Sequence, residues 1–222
     1  VGGNYCDLFI TKFKNNEIRN MLLSFANREG THQRSYALLN DTLGMHESEY
    51  SVFLDYQEMS DKISFMTSPP KTMKNASQHL AFELARSVCN EGMSLFSAFV
   101  MLLNYQRFGK MKGMCEVVEW SIRDETMHVE AMTKLFHTYL EENPTLVTDN
   151  LKSYIYTNFK HAVNLEHSLI DLVYPEDINS ETLLNLPKDA EISMVIGCGI
   201  RQKDGLYGNR FRIPFKEVYF MK

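Results

Sequence analysis

Apolar residues recur three and four positions apart along most of the chain, the spacing of one buried helix face. Few segments alternate with the period of two that a half-buried strand requires. The pattern predicts helices over 15–42, 47–67, 72–107, 110–141, 148–173 and 188–206. Long stretches without proline and rich in Leu, Met, Glu, Lys and Ala support that reading, because these are good helix formers. Proline falls at the expected interruptions: Pro69 and Pro70 together, Pro144 after a strongly periodic segment, and Pro175, Pro187 and Pro214 in the last third. The opening VGG offers no helix start, and the mixed aromatic and basic end, YGNRFRIPFKEVYFMK, reads as a small sheet or an extended arm. With no internal repeat and no linker-like composition, one all-α domain over 1–222 is the simplest architecture.

Three of the apolar stripes are interrupted by polar residues. The first runs Ile18, Leu22, Phe25, Glu29, His32, Tyr36, Leu39, which all fall within an arc of roughly 100° on a helix. The second runs Leu84, Val88, Glu91, Leu95, Ala98, Phe99, Leu102. The third runs Val118, Ile122, Glu125, Val129, Met132, Phe136, with His128 one turn after Glu125. A buried carboxylate costs several kcal/mol unless it is paired, and three in one core would also repel one another. Two histidines compensate three carboxylates poorly, whereas a multivalent metal ion does so well. Glu-x-x-His sets an oxygen and an imidazole nitrogen one turn apart, within reach of a single ion. One such motif on a helix is common by chance. Two on inward faces, with a third inward Glu, point to a metal centre. His46, His79, His137, His161 and His167 lack this setting. His79 and Glu83 read as a surface or helix-start pair, Glu116, Glu119 and Glu130 as solvated or structural, and the 13 methionines as core filler.

Composition narrows the function further. Of the 222 residues 44% are apolar and 23% charged, as in a globular protein able to bury a sizeable core. Lys plus Arg is 23 against 28 for Asp plus Glu, a formal charge of −5, which argues against a protein that grips nucleic-acid phosphates. Cys6, Cys89, Cys115 and Cys198 form no CxxC pair, so free thiols in a reducing cytoplasm are expected. The most apolar run, Leu95 to Leu103, is too short to span a membrane.

Paired Glu-x-x-His helices with lone carboxylates on two others are the signature of ferritin-like dimetal proteins. Here both Glu-x-x-His motifs and one lone Glu are present. Three segments resemble one such family, the radical-generating small (β) subunit of class I ribonucleotide reductase. REGTHQRSYALL (Arg28 to Leu39) is similar to its E-x-x-H-x-x-x-Y segment, NEGMSLFSAF (Asn90 to Phe99) to its E-G segment, and SIRDETMH (Ser121 to His128) to its R-D-E-x-x-H segment. The resemblance runs over roughly residues 1–175 and implies an all-α, ferritin-like bundle. It makes Glu29, His32, Glu91, Glu125 and His128 ligands of two iron ions, with manganese using the same ligand types. Tyr36 would be the radical-bearing tyrosine, in an apolar pocket lined by Leu95 and Phe99. Leu95 stands where many members carry Phe. Asp124 would orient a ligand histidine, His32, and lie on the transfer route. The plain alternative for Tyr36 is a buried tyrosine that only packs and hydrogen bonds.

By that resemblance the protein works as a homodimer with a separate α subunit, which binds the nucleotide, and with O₂. The resemblance also implies a further Asp or Glu ligand and a transfer Trp upstream of VGGNYCDLF, and a docking tail beyond Tyr219. Asp7 and Trp120 do not match those positions. The expectation is therefore a piece of a longer β subunit, with the metal position nearer Tyr36 weakened. Two other readings stand beside it. One is a dimetal oxidase or oxygenase of the same fold. The other is a helical module that only binds metal or a partner.

Overall fold

The computed structural model describes residues 2–68, 73 and 75–173, and every element among them is helical. A six-residue π-helical segment, Asn4–Phe9, comes first, and α1 (Asn16–Thr42) follows. Helix α1 stops where Gly44 takes a left-handed φ of 71°, with Met45 N–H donating back to Asn40 O at 3.1 Å, a glycine-based C-terminal cap. The short α2 (Glu49–Val52) and a 3₁₀ turn (Phe53–Asp55) lead to α3 (Gln57–Thr67). Helix α4 (Ala76–Gly92) is opened by Asn75, whose Oδ1 accepts from the amides of Ser77 and Gln78 at 2.9 and 3.2 Å. Then come α5 (Phe96–Leu103), a 3₁₀ turn (Asn104–Phe108), α6 (Lys112–Glu142) and α7 (Asp149–Val173). Pro144 sits just beyond α6 and opens a 3₁₀ turn.

Two of the predicted helices are broken. The span 47–67 is interrupted at Tyr56, whose extended backbone (φ −93°, ψ 125°) separates the 3₁₀ turn from α3. The span 72–107 is interrupted at Met93–Leu95, one residue after Gly92, and ends in a 3₁₀ turn. The remaining boundaries agree closely with the apolar pattern. The expected helix over 188–206, the C-terminal sheet or arm, Cys198 and the prolines from Pro175 onward lie outside the described residues, as do Pro69 and Pro70.

Helix α4 lies along α6, and both pack on neighbours: α4 on α7, α6 on α1 and α5. The main core is built from Leu22 and Phe25 of α1, Leu84 and Val88 of α4, Val129, Met132 and Phe136 of α6, and Ile155, Phe159 and Ile170 of α7. Each such side chain contributes about 1.5–3 kcal/mol when fully buried. Gly92 allows the tightest approach. A Cβ there would stand 3.1 Å from Val129 Cγ2, so a larger residue would push α4 from α6. A smaller apolar cluster, Phe96, Phe99, Val118 and Ile122, joins α5 to α6, with Tyr36 and Leu95 against it. Among the described residues no helix is long and apolar enough to cross a membrane.

The bundle also buries an ion pair. Lys62 of α3 and Glu166 of α7 are 6% and 1% exposed, and Lys62 Nζ lies 2.8 Å from Glu166 Oε1. Ser97 of α5 also donates to Glu166. Of the surface or helix-start reading of His79 and Glu83, the second half holds, since α4 begins at Ala76 and His79 lies in its first turn, and the surface half needs correction. Glu83 is buried, and its carboxylate faces Arg86 as well as His79, each at 3.8 Å.

Candidate metal centre

Helix periodicity carries Glu29 and His32 on α1, Glu91 on α4, and Glu125 and His128 on α6 to one point in the bundle. Glu91, Glu125 and His128 are buried, and Glu29 and His32 are partly so. His128 Nδ1 lies 3.2 Å from Glu91 Oε2, 3.4 Å from Glu29 Oε1 and 3.6 Å from Glu125 Oε2. His32 Nδ1 lies 3.3 Å from Glu125 Oε1 and 3.6 Å from Glu29 Oε1. Glu29 and Glu125 therefore stand between the two histidines, and Glu91 serves the His128 side alone. Glu29, Glu125 and His128 offer ligand atoms within 4.8 Å of one another.

The atoms facing that point lack hydrogen bonds. Glu29 Oε1, Glu91 Oε2, Glu125 Oε2 and both ring nitrogens of His128 are buried without a partner. Buried polar atoms are normally satisfied. Four of these, the three carboxylate oxygens and His128 Nδ1, converge and fit a cation held by carboxylate oxygens and an imidazole nitrogen. The surrounding groups settle orientation. His32 Nε2 is 3.2 Å from Asp124 Oδ2, which leaves Nδ1 toward the cluster. Asp124 is in turn 3.4 Å from Nε of the half-exposed Arg28. Phe25 lies over His128 with ring centroids 4.2 Å apart. Gly2 lets the N-terminal segment close on α1, since a Cβ there would stand 3.0 Å from the Glu29 Cβ.

Protonation within the cluster follows from this crowding. Burial alone would lower both histidines. The facing carboxylates of Glu125, Glu29 and Asp124 outweigh it and push His32 up to about 10. Those of Glu125, Glu29 and Glu91 push His128 up to about 11. Burial raises Glu29, but the two histidines overcome this and bring it down to about 2. Burial pushes Glu91 up, against the pull of His128. Because the folded values of the histidines exceed the ordinary 6.5, their contribution to stability is present below that pH and lost as pH rises through 10 to 11. Ligation needs neutral imidazoles. Metal uptake at pH 7 should therefore release at least two protons per chain, one each from His32 and His128. Calorimetric titration in buffers of different ionisation enthalpy measures this number, and release of none would contradict the arrangement.

Tyr36 lies one turn beyond His32 on α1. Its hydroxyl donates to Ser121 Oγ at 2.9 Å, and its ring packs on the cluster of Phe96, Phe99, Val118 and Ile122. Burial raises its pKa, so the phenol keeps its proton. Asp7 is exposed on the π-helical segment and Trp120 is exposed on α6, both apart from the cluster. Sequence reasoning missed Tyr5, whose buried hydroxyl donates to Glu91 Oε1 at 2.5 Å. It also missed Ser87, Ser121 and Arg28. Tyr5 and Phe9 are the buried residues of a π-helical turn, whose period does not continue the stripe of α1.

A helical bundle whose core gathers two Glu-x-x-His helices and a further Glu defines a ferritin-like dimetal carboxylate protein. Comparison with known proteins gives the family. The model for the ribonucleotide reductase small chain matches residues 1–186, and the chain belongs to that family. A probable ribonucleoside-diphosphate reductase small subunit of Invertebrate iridescent virus 6 is 38% identical over 190 residues, which are 78% of this chain and 53% of that protein. One from Invertebrate iridescent virus 3 is 35% identical over 182 residues, 75% of this chain and 48% of that protein. The ribonucleoside-diphosphate reductase subunit beta of Chlamydia pneumoniae is 28% identical over 232 residues, 99% of this chain and 63% of that protein. The chain thus spans about half the length of the viral relatives it matches.

Proposed function

We propose that this chain supplies the radical-generating core of a class I ribonucleoside-diphosphate reductase β subunit. The observation that carries the reading is Tyr36, a protonated phenol seated in an apolar pocket on the same helix as Glu29 and His32. Glu29, His32, Glu91, Glu125 and His128 would hold the metal ions. Bound iron, or manganese, would supply the O₂-dependent oxidising power that turns a phenol into a tyrosyl radical.

The chain's own residues then do three things. Phe96, Phe99, Val118 and Ile122 keep water from the Tyr36 ring. Ser121 Oγ accepts the Tyr36 hydroxyl proton in a hydrogen bond and itself donates to Val117 O at 3.0 Å, which fixes its direction. His32, Asp124 and Arg28 form a polar line from the cluster to the protein surface, a route for electron and proton transfer. The recipient would be a separate α subunit that reduces the ribonucleotide. The β chain would act as a homodimer in the cytoplasm.

The test is an electron paramagnetic resonance spectrum after addition of Fe(II) and O₂, beside Tyr36→Phe. The wild-type chain should give a tyrosyl signal, and the variant should bind as much iron and give none. An iron-loaded chain without the signal, or a variant that keeps it, would overturn the assignment.

A further inference from the structure

Glu91 is held differently at its two oxygens. Oε1 accepts from the Tyr5 hydroxyl at 2.5 Å and from Ser87 Oγ at 3.2 Å. Oε2 accepts no hydrogen bond, is buried, and faces His128 Nδ1 at 3.2 Å. The two donors come from different directions: Ser87 lies one turn back on α4, and Tyr5 comes from the π-helical segment. The Tyr5 ring is itself wedged in place. It is 1% exposed and meets Phe25 edge-on at 5.6 Å and His128 at 6.0 Å between centroids. Nothing in this contact follows from the three ligand segments, since Tyr5 lies outside all of them.

We propose that Tyr5, assisted by Ser87, is a positioning residue that occupies one oxygen of Glu91, so that this carboxylate meets a metal ion through Oε2 alone. A carboxylate free at both oxygens can grip a metal with both. One whose Oε1 already accepts two hydrogen bonds gives up those bonds if it does so. The cost falls on a buried phenol, whose hydroxyl would give up its bond to Glu91 Oε1. The position on the His128 side consequently keeps one coordination place that Glu91 does not fill. The N-terminal segment thereby takes part in the chemistry of the centre without supplying a ligand.

The inference rests on the metal-centre reading, and the experiment separates the two. Co(II) is titrated anaerobically into the full chain, Tyr5→Phe and Ser87→Ala, and the visible absorption per bound ion is recorded. Co(II) absorbs more weakly as its coordination number rises. Tyr5→Phe keeps the ring and removes only the hydroxyl, and far-ultraviolet circular dichroism checks that its helix content equals wild type. The expected result is a lower absorptivity per bound Co(II) and a roughly tenfold weaker affinity, the low end of what loss of a ligand's supporting partner costs. Ser87→Ala should move both in the same direction by less. A Tyr5→Phe spectrum superimposable on wild type overturns this proposal alone, even where thermal stability falls, because that is all a packing role would change. A wild-type chain that takes up no Co(II) overturns the metal-centre reading and this proposal with it.

Discussion

Glu125→Gln is expected to weaken Fe(II) binding by more than about 100-fold, the upper end of what losing a merely supporting partner costs. The reason is its place in the cluster. Its Oε1 lies 3.3 Å from His32 Nδ1 and its Oε2 lies 3.6 Å from His128 Nδ1, so one substitution removes a negative charge that both sides share. Glu91→Gln removes a negative charge from the His128 side only, and should leave the other side's uptake closer to wild type. Glu130→Gln, on the same helix but exposed, should bind as wild type does. Anaerobic titration with measurement of bound iron distinguishes the three. If Glu125→Gln and Glu130→Gln bind alike, Glu125 is not a ligand.

The second large effect is one of stability. Lys62→Met should destabilise the protein by about 3–5 kcal/mol, the usual cost of stranding one partner of a buried ion pair. For a chain of this size that corresponds to roughly 10 °C in thermal midpoint. Removing Lys62 strands Glu166, which is 1% exposed and, among the described residues, keeps only the Ser97 hydroxyl as a donor. Burial already raises Glu166, and Lys62 is the principal group that opposes this. Without Lys62 the carboxyl rises further above its unfolded value. The deficit should therefore grow as pH increases past the ordinary carboxylate range and shrink as pH falls toward it. The double variant Lys62→Met, Glu166→Leu should recover most of the loss. Thermal melts at pH 5 and pH 8 test this, and a single variant that melts with wild type at both would remove the pair from the account of stability.

The ligand helices were legible in the sequence because each polar intruder keeps the helical step of its apolar neighbours. Glu29 and His32 continue the line of Leu22 and Phe25, and Glu125 and His128 that of Ile122 and Val129. The Glu166 signal was present in the same form, one turn after Ala162 and one turn before Ile170, but a single Glu in one stripe says nothing about its partner on another helix. The break at Met93–Leu95 was hidden because no proline marks it and the apolar step survives across it. Gly92 was the available sign, as a glycine commonly ends a helix. Tyr5 was not legible, because a single π-helical turn abandons the period that reveals a buried face. Nor could spacing along single helices show that Glu29 and Glu125 stand between the histidines, which depends on how α1 meets α6.

The contact between His32 and Asp124 joins residues 92 apart in the chain, and that between Tyr5 and Glu91 joins residues 86 apart. Closing such long loops is entropically costly and tends to come late in folding. The full set of five side chains is thus brought together only by the docking of α1, α4 and α6, and before that each helix offers a metal ion at most one Glu-x-x-His pair. Bound metal should accordingly leave the refolding rate nearly unchanged and slow unfolding, so that its benefit is persistence of the native state rather than speed in reaching it.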